Sequence, residues 1–209
     1  VRLEKELAKK AEEFDDVITM GRTQLQDAVP IRLGQVFHGY ASMVSRDRKR
    51  IEKAHREMYT VNLGGTAVGT AINVSDSYFY KIVPNLEKLT GYPLKQAEDL
   101  FDATENLDGF VAVSGVVKTC AVDLSKMCND LRLMSSGPKT GFGEINLPAK
   151  QNGSSIMPGK VNPTQCEALT MVCAQVFGHN TTMTICAGSG AFQLNVYMPI
   201  MIYDFVESC

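Results

Sequence analysis

The residues best placed to do chemistry together lie in one run: Gly153-Ser154-Ser155-Ile156-Met157-Pro158-Gly159-Lys160-Val161-Asn162-Pro163. Glycines flank two adjacent hydroxyls, a lysine and an asparagine follow, and then a helix is expected to begin. Pro163 suits the first helical position, Asn162 the cap before it, and Gln165 the place of a capping-box partner. A helix N-terminus presents unpaired N–H groups and a partial positive charge, and Lys160 adds a full one. The segment therefore suits a small anion such as a carboxylate. On composition alone the same residues also describe an ordinary capped helix after a flexible loop.

The elements that must position this run are long helices. Phe37, Tyr40, Val44, Ile51, Ala54, Met58 and Val61 recur at spacings of three and four, which predicts a helix over residues 35–62. At about 1.5 Å per residue it would reach about 42 Å, and a rod of that length needs long partners. Phe110, Ser114, Val117, Ala121, Leu124, Cys128 and Leu131 repeat the pattern and predict a second long helix over 107–134. Shorter helices are expected over 1–19, 78–90, 163–177 and 193–206. The last two carry apolar residues around most of their circumference, which points to a core shared between subunits. The expected fold class is all-α, a long and nearly antiparallel helix bundle with helices shared in an oligomeric core. Segments 21–30, 64–73 and 135–162, rich in Gly, Pro, Ser, Thr and Asn, read as the functional connections.

Composition excludes several alternatives. A chain of 209 residues with 44% apolar content can bury a sizeable core as one helical domain over 1–209. Its formal net charge of −2 comes from interspersed acids and bases, so neither nucleic acid nor a membrane surface is expected as partner. The six cysteines form no CxxC pair and only three histidines could join them, so no metal and no cofactor is expected. The cysteines read as reduced packing residues of a cytoplasmic protein. His38, His55 and His179 lie in no motif with a nucleophile and read as structural. Val1 already lies in a charged helical pattern, and the apolar pattern before Cys209 meets no stop signal. The chain is thus expected to be a piece of a longer protein.

The run 153–163 resembles the signature loop of the aspartase and fumarase superfamily. The resemblance extends to Gly21-Arg22-Thr23-Gln24-Leu25-Gln26-Asp27-Ala28-Val29-Pro30 and to Asn62-Leu63-Gly64-Gly65-Thr66-Ala67-Val68-Gly69-Thr70, and it covers essentially the whole chain as that family's central helical domain. It implies that Ser154 is the general base removing a proton from the carbon beside a carboxylate. A serine alkoxide needs N–H donors and positive charge around it, which the glycine-rich backbone, Lys160 and the helix end could supply. Proton loss there builds an aci-carboxylate whose oxygens need donors. The resemblance assigns Lys160 and Asn162 to the carboxylate near the amine, and Ser155 with the loop at Ile156 and Met157 to the carboxylate that accumulates charge. It also implies a homotetramer whose sites combine regions from several subunits. Because the family's first site region is absent, the chain alone is expected to be inactive.

Members of this family share fumarate as product and differ in what leaves. Thr23-Gln24 resembles the aspartase form, whereas hydratases carry histidine where Gln24 stands. An already protonated amine needs no titratable partner, while departing hydroxide benefits from one. Pro163-Thr164-Gln165-Cys166-Glu167 resembles the hydratase form instead. The expectation is a carbon–nitrogen lyase converting L-aspartate to fumarate and ammonia, with hydration of fumarate to L-malate as the alternative. A non-catalytic oligomerising scaffold is the reading from another class. Glu167 is expected either to favour the helix N-terminus or to partner Lys160. Thr66 and Thr70 read more readily as parts of tightly packed backbone.

Overall fold

The apolar spacing over residues 110–131 does become a helix, α5 (Asp108–Met134), and the other periodic segments form α1 (Arg2–Glu13), α2 (Leu33–Ala54), α3 (Asp76–Thr90), α6 (Thr164–Ala187) and α7 (Met198–Ser208), with one short helix that the spacing did not predict, α4 (Asp102–Glu105). The structure is a computed structural model that describes residues 1–151 and 156–209. Its fold is an all-α helix bundle with two small strand pairings: β1 (Ile18–Thr23) with β2 (Gln26–Arg32), antiparallel, and β3 (Thr60–Val61) with β4 (Lys95–Gln96), parallel. The chain divides into two compact units, Val1–Lys49 with Thr119–Ala174 and Arg50–Lys118 with Gln175–Cys209.

In the first unit Leu7 of α1, Leu33, Phe37, Tyr40 and Met43 of α2 and Met127 of α5 form one buried cluster. Phe37 and Tyr40 meet edge-on at 6.0 Å between ring centroids, a favourable arrangement of ring quadrupoles. The Tyr40 hydroxyl reaches the rim of this core and donates to Asp130 Oδ2 at 3.0 Å. Burial first, and the Asp130 charge second, raise the Tyr40 phenol above its ordinary range, so it stays a donor. Gly34 sits where α2 starts against the end of α1. Its N–H donates to Phe14 O at 2.9 Å, and a Cβ there would lie 2.4 Å from Ala11 O.

In the second unit Leu107, Met183, Cys186 and Met201 form the core. Buried Asn180 donates from Nδ2 to buried Ser114 Oγ at 2.9 Å, which satisfies the one polar member of the α5 stripe in this unit. The Gly-rich segment 64–73 is a compact turn system. Ala71 N–H donates to Gly65 O at 2.9 Å, and Gln96 Nε2 donates to Leu63 O at 2.8 Å. A Cβ on Gly69, at φ +84, would lie 2.3 Å from Phe101 Cα. Thr66 spends its hydroxyl on Gly65 O at 2.7 Å. Close backbone packing accounts for this segment, as its composition suggested.

Several boundaries differ from those read in the sequence, each for a local reason. Residues 18–32 were expected as the end of a helix and a loop, and they form a hairpin. The predicted helix over 35–62 stops at Ala54 and continues as a 3-10 turn, His55–Tyr59, because residues 60–61 pair with β4 instead. The predicted helix over 163–177 runs on to Ala187. Its later threonines are poor helix formers, but Thr181, Thr182 and Thr184 each donate the hydroxyl to the carbonyl four residues back. The last helix begins at Met198, not near 193. Buried Asn195 instead ties the preceding turn, donating to Cys186 O at 3.0 Å and accepting from Tyr197 N at 2.9 Å. All six cysteines are free thiols. Burial pushes Cys120 up to about 11 and, with the neighbouring Cys166 thiol second, Cys128 up to about 12.

The tight α1–α2 approach yields a stability prediction. Gly34→Ala forces a methyl into backbone atoms and is expected to destabilise the fold by about 2 kcal/mol or more. Urea unfolding followed by circular dichroism measures it, and a midpoint equal to wild type would contradict the packing described.

Candidate active site

Hairpin β1–β2 turns through Gln24 and Leu25 alone, since Thr23 pairs with Gln26. Both turn residues have positive φ, 54° and 63°. This matches the twist of a two-residue hairpin, but side chains other than Gly, Asn or Asp are strained there. The tip thus holds exposed Thr23 and Gln24 in a fixed, strained presentation.

One ion pair anchors that tip. Arg22 Nη2 donates to Glu144 Oε1 at 2.6 Å, Arg22 Nε lies 3.3 Å from Asp27 Oδ1, and the guanidinium stacks 4.4 Å from the Phe142 ring centroid. Glu144, by hydrogen bond first, raises the Arg22 pKa further. Phe142 and Glu144 belong to the start of the long connection after α5, which is itself folded back on that helix. Glu144 N–H donates to Met134 O at 2.8 Å and Gly143 N–H to Ser136 O at 2.9 Å. The hairpin and the start of the connection are therefore one assembly in the first unit.

The far end of the same connection meets α6 at an open cavity of about 1000 Å³. Its lining includes Lys160, Asn162 and Glu167, together with Asn129 and Arg132 from the last turns of α5 and the turn beginning at Ser135. The first intrahelical bond of α6 runs from Glu167 N–H to Pro163 O at 3.1 Å. Pro163 thus occupies the capping position and Asn162 precedes it, one residue earlier than expected. Among the described residues the Asn162 side chain makes no hydrogen bond and the Lys160 ammonium no ion pair. Glu167 pairs with Arg132, Nη2 to Oε1 at 3.5 Å, and Arg132 Nη1 donates to Asn129 Oδ1 at 3.2 Å. The cavity lining thus carries two cations against one carboxylate at the positive end of a helix, an environment that favours an anion.

The structure therefore brings together Lys160, Asn162 and Glu167. Among the described residues, Thr23 and Gln24 at the hairpin tip, and Ile156 and Met157, lie outside the cavity lining. Ile156 is highly exposed and Met157 half exposed. Ser154 and Ser155, read from the sequence as base and donor, lie outside the described residues. Arg132 and Glu144 were missed by the sequence reading. Each carries one ordinary charge, and only its tertiary surroundings give it a role. No group of His, Cys, Asp and Glu among the described residues is arranged to hold a metal ion, and none of their helices is long and apolar enough to cross a membrane.

Comparison with known proteins places this architecture in a class. A family model described as lyase matches residues 1–178. Over 206 residues the chain is 48% identical to an aspartate ammonia-lyase of a Bacillus species, covering 99% of this chain and 44% of that relative. It is also 48% identical over 202 residues to the class II fumarate hydratase of Neisseria meningitidis, covering 97% of this chain and 44% of that one. The solved fumarate lyase:delta crystallin of Brucella melitensis bound to cobalt superposes with a TM-score of 0.96 at 48% identity, over 99% of this chain and 45% of that chain. The class II fumarase of Schistosoma mansoni gives 0.94 at 39%, over 99% and 46%. The chain belongs to the lyase family, within the aspartase and fumarase superfamily that its motifs resemble. It spans less than half the length of these relatives.

Arg22 supplies the prediction here. Arg22→Ala should raise hydrogen exchange across residues 18–32 by about tenfold, the scale expected when one charge-assisted hydrogen bond is removed, while helicity persists. Exchange mapped by mass spectrometry tests this, and unchanged protection would show that the pair does not anchor the hairpin.

Proposed function

We propose that the protein carrying this chain is a carbon–nitrogen lyase that converts L-aspartate reversibly to fumarate and ammonia. The observation that supports it most is the cavity at the α6 N-terminus, where Lys160 and Asn162 have no competing partner among the described residues and positive charge is in excess. In this reading Lys160 and Asn162 hold the carboxylate beside the amine. Ser154, as alkoxide, takes a proton from the neighbouring methylene carbon. The electron pair left on that carbon moves into its own carboxylate, giving an aci-carboxylate held by Ser155 and the loop at Ile156 and Met157. The pair then returns to form the double bond as the carbon–nitrogen bond breaks, and ammonia leaves. No cofactor or metal takes part in these steps.

Thr23 and Gln24 are assigned to substrate contact from the hairpin tip, and the strain at Gln24 supports a presentation kept for binding. Since they lie outside the cavity lining, we assign them to the site of a neighbouring subunit in a cytoplasmic homotetramer. Exposed apolar side chains on α6 and α7 support such an assembly: Met171 is 71% exposed, Ile185 65% and Val206 63%. Coverage of under half of the relatives supports the proposal that this is a central helical domain flanked by N-terminal and C-terminal domains, and that it does not turn over substrate alone.

Hydration of fumarate to L-malate is the second reading. The relatives at equal identity include class II fumarate hydratases, and residues 163–167 resemble that branch. Gln24, an amide that does not titrate near neutral pH, favours ammonia release.

Two outcomes test this. The whole protein given L-aspartate or L-malate should produce fumarate, followed by its absorbance, with kcat/KM favouring aspartate; a preference for malate would replace the first reading by the second. Ser154→Ala should lower kcat by about 10²–10⁴-fold with the oligomer intact, as removal of a general base does. A rate like wild type would remove Ser154 from the mechanism.

A further inference from the structure

We infer that Arg132 is a positioning residue of this cavity: it holds Glu167 in an ion pair and so leaves the Lys160 ammonium available to a carboxylate ligand. The inference rests on the dicarboxylate reading above and gives a role to a residue to which the sequence assigned none.

Glu167 and Lys160 line the same cavity, so the substrate carboxylate has an internal rival for Lys160. The structure removes that rival by geometry. Arg132 lies in the last turn of α5, where the helix dipole favours a cation, and Glu167 in the first turn of α6, where it favours an anion. The two helix ends meet across the cavity with their charges facing at 3.5 Å. Arg132 can do this because its planar fork has several donors in fixed directions. Nη1 is held by Asn129 Oδ1 at 3.2 Å, one turn back on α5, which orients Nη2 toward Glu167. Nε is buried and among the described residues has no hydrogen-bond partner, so the fork retains a donor beyond the two it uses. A lysine, with one point charge on a flexible stem, could not satisfy Asn129 and Glu167 in the same way.

Without Arg132, one cation and one carboxylate would remain among the charged groups lining the cavity, and Glu167 would be released to compete for Lys160. The cavity would lose its attraction for anions although Lys160 is untouched. This separates positioning from simple structural support, because neutralising Glu167 as well should restore what neutralising Arg132 removes.

The experiment uses the whole protein and two readouts, KM for L-aspartate and L-malate, and Kd for the unreactive dicarboxylate succinate by titration calorimetry. In Arg132→Gln both should rise about tenfold, with kcat changed less, since the Lys160 hydrogen bond to the ligand is weakened by a competing carboxylate. Arg132→Gln combined with Glu167→Gln should return both toward wild type, and Arg132→Lys should recover only part. Glu167→Gln alone should bind succinate more tightly than wild type. Wild-type affinity in Arg132→Gln, or a double variant no better than Arg132→Gln, would overturn the inference. If Arg132→Gln loses its circular dichroism signal, Glu167→Gln decides: weaker succinate binding would mean that Glu167 supports the ligand directly, and the inference falls. Turnover of neither acid by wild type would instead overturn the reaction proposed above, while the succinate comparison still decides the role of Arg132.

Discussion

Arg132 closes α5 and Glu167 opens α6, and the pairing of these two helix ends is the constraint around which the cavity is organised. A helix C-terminus carries partial negative charge and a helix N-terminus partial positive charge, so each side chain sits where its own helix stabilises it. Their mutual pairing is partly exposed and adds little to global stability. Its consequence is local. It uses the one carboxylate of the cavity lining, while Lys160 and Asn162, beside the N-terminus of α6, keep no side-chain partner among the described residues.

The bundle serves this arrangement by fixing where α5 stops. Leu124, Met127, Leu131 and Met134 bury the last turns of α5 against the cluster containing Tyr40 and Leu7. The chain then folds back at once through Ser136, Gly143 and Glu144, and Glu144 pairs with Arg22 at the foot of the strained hairpin. Core packing, a charge pair and a hairpin tip are thus linked in one unit. A disturbance at Arg22 is expected to reach Thr23 and Gln24 more readily than one on the exposed surface of α3.

Much of this was legible in the sequence, and the parts that were not share a physical cause. α5 was readable almost to the residue because its three-four spacing is sustained to the helix end, whereas the same spacing over 35–62 ran past Ala54 into residues that pair with β4 instead. The family was readable because many residue types agree in the short run 153–163, and the helix start after it was readable to within one residue from Asn162-Pro163. The hairpin was hidden because its turn is Gln24-Leu25, without the Asn-Gly or Asp-Gly signal that such a turn normally shows. The extension of α6 was hidden because threonines are poor helix formers, and the hydroxyl bonds that Thr181, Thr182 and Thr184 make to the preceding turn are visible only in the folded helix. Arg132 and Glu144 were hidden for a deeper reason. A charge acquires a role from its partner, and both partners here are distant in sequence. The sequence left open whether Glu167 serves Lys160 or the helix end, and the structure pairs it with Arg132 at the helix end.

The most direct test of the account is a crystal structure of the whole protein as Ser154→Ala with L-aspartate bound. The account predicts one substrate carboxylate within about 3 Å of Lys160 Nζ and the Asn162 amide, with Glu167 still paired to Arg132. A ligand bound away from the α6 N-terminus, or a Lys160 ammonium paired to Glu167 with substrate present, would contradict it.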